Sequence, residues 1–184
     1  MVLPGFLTDD WSTHLLRRHL RRLGYTVSGW GLGTNHGKLA TLLPQAHAAI
    51  ADLHAQSGQP VRLIGWSLGG VIAREVARRS PAHVDRVITM GSPLRGPQHT
   101  AFSAIFPTRD DRRLAERDHA QPIQVPILTL YSQRDAVVFV EGAIDTSSPA
   151  VHNHQVDCTH LGFVLSPDVY AMLAQLLQQD CSEM

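Results

Sequence analysis

The sequence predicts an α/β fold: a mostly parallel sheet of about six strands with helices on both faces. Three observations predict it. Strand-like and helix-like segments alternate along the 184 residues. The run Val61–Trp66 is short and apolar, as a strand buried on both faces should be. No repeat or low-complexity linker divides the chain, so residues 1–184 read as a single domain.

The elements follow in order. Val2-Leu3, ending in Pro4-Gly5, is the stub of a first strand. A helix is expected from about Trp11, with Asp10 as its cap, Leu16, Leu20 and Leu23 on one face, and Gly24 as its stop. Tyr25–Trp30 is a second strand, closed by Gly29, Gly31 and Gly33. Ala46, Ala49, Ile50 and Leu53 recur at helical spacing before Gly58, and Pro44 fits best in the first turn of that helix. Val61–Trp66 is the third strand, followed by a helix from Gly69 to about Arg79, and Val84–Met90 is the fourth. Residues 91–125 hold four prolines and a charged stretch, Arg109 to His119, and read as an exposed, lid-like insertion over about 95–124. Ile127–Tyr131 and His152–Asp157 complete the strands. Ser166, Pro167 and the face Val169, Met172, Leu173, Leu176 and Leu177 mark a last helix.

Composition excludes several classes. Sixteen basic residues balance sixteen acidic ones, which gives no general reason to expect nucleic acid or an anionic membrane as partner. Arg17, Arg18, Arg21 and Arg22 recur at helical spacing and read as a solvated face. No apolar run is long enough to span a bilayer, so no stable membrane insertion is expected. The N-terminus lacks a signal-peptide pattern. A cytoplasmic location is expected of the chain as it stands, or secretion if a signal was removed. Cys158 and Cys181 are expected as free thiols, and a monomer is expected. Gly29, Gly31 and Gly33 fail the dinucleotide fingerprint at Thr34, and Gly37-Lys38 is no phosphate loop. His47 and His54 could share a helix face and His152 and His154 a strand face, but no His-Glu-x-x-His exists and no metal is expected.

The chemistry centres on Gly65-Trp66-Ser67-Leu68-Gly69, a Gly-x-Ser-x-Gly pentapeptide. The pattern gains force from its place at the end of a buried strand and the start of a helix. A nucleophile on such a turn needs glycines on either side to remove clashing side chains. Attack on a carbonyl creates an oxyanion that needs two preset donors. The backbone N–H of Leu68 supplies one, and Phe6 in the loop Pro4-Gly5-Phe6-Leu7 is the candidate for the other. The acid should follow a downstream strand. Asp135, four residues after Tyr131, fits, with Asp145 as the alternative. Of eleven histidines, His160 lies between the last strand and the last helix, where the base should be.

These residues resemble the α/β-hydrolase superfamily, in particular its small bacterial esterase/lipase branch. Leu3-Pro4-Gly5-Phe6, the serine pentapeptide with Gly70, Met90-Gly91-Ser92-Pro93-Leu94-Arg95-Gly96, and Asp135 with Thr159-His160-Leu161-Gly162 carry the likeness. The resemblance implies a minimal hydrolase sheet lacking the first two strands of larger members. It also implies hydrolysis of carboxylic esters without metal or organic cofactor. Pro4-Gly5 stands where His-Gly is usual, and Leu94 where a histidine is usual. Thioesterases, amidases and acyltransferases use the same triad, and a non-catalytic binding module is the alternative of another class. Leu7, Trp11, Phe102, Ile105, Phe106, Val137, Val138, Leu161 and Phe163 are apolar residues on or near the loops above the sheet and are expected to form an acyl pocket. Phe102, Ile105 and Phe106 are expected in the lid. The expected partner is a small-molecule or lipid ester of short to medium chain.

Overall fold

Successive residues of a strand face opposite sides of a sheet, and here each side has its own core. The computed structural model describes residues 1–101, 105–106, 108–110 and 122–178. Five strands form one sheet in the order β1 (Val2–Leu3), β2 (Val61–Trp66), β3 (Val84–Met90), β4 (Ile127–Tyr131) and β5 (Val151–Gln155). Every neighbouring pair is parallel. Leu3, Leu63, Val87 and Ile127 point to one face, under helices α2 (Leu39–Ser57) and α3 (Leu68–Arg79). Val2, Ile64, Ile88 and Leu128 point to the other, under α1 (His14–Arg22) and the C-terminal helix Pro167–Gln178. Leu173 on that last helix is fully buried, and truncating such a leucine costs about 2–5 kcal/mol.

The register brings the strand ends level. Leu3 pairs with Gly65, Trp66 with Met90, Met90 with Leu130, and Tyr131 with Gln155. The segments after β1, β2, β4 and β5 therefore leave the sheet from one edge, where open α/β sheets bind ligands.

Four sequence expectations are corrected. The sheet has five strands among the described residues, not about six, because Tyr25–Trp30 forms no ladder. It flanks β1 through one bond, from the Val2 N–H to the Ser28 carbonyl. Its last amides go elsewhere: Trp30 and Gly31 donate to the Asp10 carboxylate at 2.9 and 3.0 Å. Asp10 is thereby removed as a helix cap, and α1 starts later, at His14 after Thr13. Pro44 lies within α2, five residues past its start. It is tolerated because Pro44 and Ala40, whose carbonyl would have been its partner, are both exposed to water. The last strand runs Val151–Gln155 rather than His152–Asp157.

Candidate active site

Ser67 sits between β2 and α3 with φ +53° and ψ −125°. A non-glycine residue there is strained by about 1–3 kcal/mol and needs its surroundings to hold it. They do. The Ser67 N–H donates to the Met90 carbonyl at 2.8 Å, continuing the sheet, and the Ser67 carbonyl accepts from the Gly70 N–H at 3.0 Å. A Cβ on Gly65 would stand 2.4 Å from the Gly70 backbone, so only glycine fits this crossing of strand and helix.

The loops that carry Asp135 and His160 meet each other next to Trp66. His160 Nδ1 lies 2.8 Å from Asp135 Oδ2, with the carboxylate side chain 1% exposed and the imidazole 13%. The other Asp135 oxygen accepts the Val137 and Val138 N–H groups at 2.8 and 3.0 Å. With both oxygens engaged, the carboxylate has one orientation to offer the ring. Gly91, at φ +52°, lets it approach, since a Cβ there would fall 2.8 Å from Asp135 Oδ2.

Trp66 links this pair to the serine turn. Its indole N–H donates to the His160 carbonyl at 3.0 Å, and the two rings lie 5.5 Å apart. Ser132 braces the loops to each other. Its hydroxyl donates to the Cys158 carbonyl at 2.6 Å and accepts the Cys158 and Arg134 N–H groups. The Cys158 thiol itself is pushed up to about 11, mainly by burial and then by Asp135 and Asp157, so it stays protonated and is no competing nucleophile.

The loop after β1 forms the other wall. A methyl group at Gly5 would sit 3.3 Å from the Ser67 Cβ, so this loop passes directly over the serine. Leu7 holds φ +56° there. Fully buried Asn35 clamps the loop: its side-chain amide donates to the Pro4 carbonyl at 2.9 Å, its carbonyl accepts the Leu7 N–H at 2.7 Å, and its N–H donates to the Thr8 carbonyl at 2.8 Å. The Phe6 N–H has no acceptor among the described residues. Leu68 is the first residue of α3, so its N–H is one of the free donors of a helix start. This helix end also favours negative charge.

The expected pocket residues divide. Leu7, Trp11 and Leu161 are exposed, at 63%, 80% and 60%. Phe6 and Val137 are partly buried, and Val138 is buried behind the Asp135 turn. Phe163 belongs to the core on the α1 side. The lid expectation is corrected at Ile105 and Phe106, which are buried in the core with Leu94 and Ile123 and present no exposed surface. Phe102 and most of the charged stretch lie outside the described residues. Asp145, the alternative acid, pairs instead with buried Arg74 at 2.7 Å. His47 bonds the Ser80 hydroxyl and His54 stacks on His83, and no metal-binding group of three occurs among the described residues. Asn35, Ser132 and Trp66 were not anticipated as site residues. A cleft of about 780 Å³ lies by the strand starts at Met1, Val61 and Arg62 and touches none of these residues.

Solved structures with this architecture are α/β hydrolases, and the chain has their fold. It matches lipase B of Aspergillus fumigatus with a TM-score of 0.73 at 19% identity, over 100% of this chain and 54% of that one. A lipase-esterase related protein from Clostridium acetobutylicum matches at 0.69 and 14%, covering 96% and 92%. A structure from the study of the metagenome-derived lipolytic enzymes LipS and LipT matches at 0.67 and 17%, covering 97% and 92%. In sequence, the model of the palmitoyl protein thioesterase family matches residues 28–144, more than half of the chain. The chain belongs to that family. The matched stretch contains Ser67 and Asp135 and ends before His160. No curated protein matches the chain in sequence.

Proposed function

We propose that the chain is a serine hydrolase that cleaves carboxylic esters of short to medium acyl chain, with Ser67, His160 and Asp135 as its triad. The observation that carries this is the 2.8 Å contact of Asp135 with His160, linked through Trp66 to a serine held at φ +53°. In this mechanism the Ser67 hydroxyl oxygen attacks the acyl carbonyl carbon while His160 Nε2 takes the hydroxyl proton. The carbonyl oxygen becomes an oxyanion held by the Leu68 and Phe6 N–H groups. The tetrahedral intermediate collapses, the bond to the leaving oxygen breaks, and His160 returns its proton to the departing alcohol. Water then attacks the acyl-serine by the same route and releases the acid. Asp135 holds the ring orientation throughout. Leu7, Trp11, Val137 and Leu161 are the candidate contacts for the acyl chain.

A second reading, hydrolysis of thioesters, is favoured by the family to which the chain belongs. The two differ only in the leaving atom. Matched oxyester and thioester substrates of equal chain length separate them. Oxyester kcat/KM equal to or above the thioester value supports the first reading, and a thioester preference of about tenfold or more, roughly 1.4 kcal/mol, supports the second. Ser67→Ala and His160→Ala are each expected to lower kcat by about 10⁴-fold or more on either substrate. Near-parental turnover in His160→Ala would overturn the triad.

A further inference from the structure

Seven large apolar side chains are strongly exposed among the described residues: Leu7, Trp11, Leu15, Leu23, Phe139, Leu161 and Leu165. Their distribution is uneven. Leu7 and Trp11 follow β1, Phe139 follows β4, and Leu161 and Leu165 follow β5, so five lie beyond the strand ends that carry Ser67, Asp135 and His160. Leu15, the second residue of α1, lines a groove of about 420 Å³ together with Leu165. Only Leu23 stands apart, just past the last residue of α1.

The same groove carries charge. Arg18 and Arg22 line it with Leu15, Leu165 and Tyr170. The four arginines of α1 are not equivalent. Arg17 donates to the Asp10 carbonyl and Arg21 to the Val27 carbonyl, so both serve the fold. Arg18 and Arg22 are exposed and have no hydrogen bond or ion pair among the described residues. Leu15, Arg18 and Arg22 are spaced three and four apart, which is one face of α1, and Trp11 lies in the turn just ahead of that helix. It is apolar at its start, on the side of the site, and cationic beyond. The acids near its ends are engaged or belong to another helix: Asp9 accepts the Trp11 N–H, Asp10 accepts the Trp30 and Gly31 N–H groups, and Asp168 lies in the first turn of the C-terminal helix.

We propose that this face docks the protein on an anionic phospholipid surface. Leucines and a tryptophan enter the boundary between acyl chains and headgroups, while guanidinia on long stems reach back to the phosphates. The order along the stripe is the one that such a boundary requires. The net charge of zero makes the attraction local to the face rather than a property of the whole chain. The apolar end of this face, at Leu165, follows His160 in the chain and is the end nearest the site. No helix among the described residues is long and apolar enough to cross a membrane, so the contact is peripheral. The proposal goes beyond the hydrolytic reading and is tested apart from it.

The test uses the Ser67→Ala protein, which binds without turnover, and vesicles of phosphatidylcholine with or without phosphatidylserine. Co-sedimentation is expected with phosphatidylserine vesicles, to weaken with added salt, and to fall about 20-fold in Arg18→Gln/Arg22→Gln. Arg18→Lys/Arg22→Lys is expected to restore it. Leu15→Ser/Leu165→Ser is expected to lower binding while, on the Ser67 background, leaving hydrolysis of a water-soluble ester at the parental rate. Equal binding to both vesicle types, undiminished binding by the glutamine variant, or no binding would overturn the proposal. Capture of an acidic peptide in place of vesicles would overturn it in favour of a protein partner. Loss of ester hydrolysis in the parent alone would reject the hydrolytic reading and leave the docking result standing.

Discussion

The two walls of the site are held by different means. On one side, Asp135 and His160 come from separate loops that are tied directly to each other, by their own contact and by the Ser132 hydroxyl on the Cys158 backbone. On the other, the loop over Ser67 is pinned by a single buried residue, Asn35, from the segment ahead of α2. In the proposed mechanism the first wall moves a proton and the second holds a charge. Separate bracing means that each can be damaged without the other. A pair that shares one carboxylate needs redundant ties, whereas a backbone donor needs only a fixed peptide plane.

The largest effect expected from this contrast is at Asn35. Asn35→Ala removes the clamp on Pro4 and lets the Phe6 N–H drift. Losing one oxyanion donor costs about 10²–10³ in kcat, with KM little changed. The assay is run well below the melting temperature, because the freed Pro4 carbonyl and Gly37 N–H also cost about 1–3 kcal/mol each in stability. Asn35→Asp, which puts an oxygen against the Pro4 carbonyl, is expected to match it. A parental kcat in both variants would show that the loop is held by something else.

A smaller effect is expected at Ser132. Ser132→Ala leaves the buried Cys158 N–H without its acceptor, a cost of about 1–3 kcal/mol. For a chain of this size that is a melting shift of roughly 2–12 °C, read by calorimetry. The fall in kcat is expected to be about tenfold, less than for Asn35, because the Asp135–His160 contact persists. The double variant sharpens the comparison. If the walls are independent, the two effects on kcat add to within about 0.5 kcal/mol.

The contrast also explains what the sequence could and could not reveal. Ser67, Asp135 and His160 could be singled out as candidates because strand and helix signals bracket each of them. Asn35, in Gly33-Thr34-Asn35-His36, lies in a stretch without periodicity, and its role exists only once residues 4–8 fold over it. Ser132 looked like one more polar residue after a strand. Tyr25–Trp30 was misread for a related reason. Its apolar residues suit a strand, but the amides that would continue a ladder are claimed by the Asp10 carboxylate, twenty residues away in sequence. Ile105 and Phe106 misled in the opposite sense, since a charged neighbourhood suggested exposure and the fold buries them. Local pattern reports a residue's own preference, and these four outcomes turn on a distant partner.

The smallest expected effect tests the wall of Asp135 and His160 through pH. His154, on the strand that feeds the His160 loop, has its pKa lowered from 6.5, first by burial and then by His152. Its Nε2 is buried without a partner. Above pH 6.5 the ring is neutral in both folded and unfolded chains and costs nothing. As pH falls below 6.5 the unfolded chain takes up the proton first, so stability declines until the folded pKa is passed. Melting temperatures measured from pH 7.5 to 5 are therefore expected to fall less in His154→Asn than in the parent, with the two curves diverging only below 6.5. The histidines outside β5 contribute to both curves and cancel in the difference. Because β5 leads into His160 and not toward Asn35, hydrogen exchange at low pH is expected to rise at residues 156–160 before it rises at residues 4–8. Simultaneous opening of the two segments would mean that the walls share a brace and that the separation drawn from Asn35 and Ser132 is wrong.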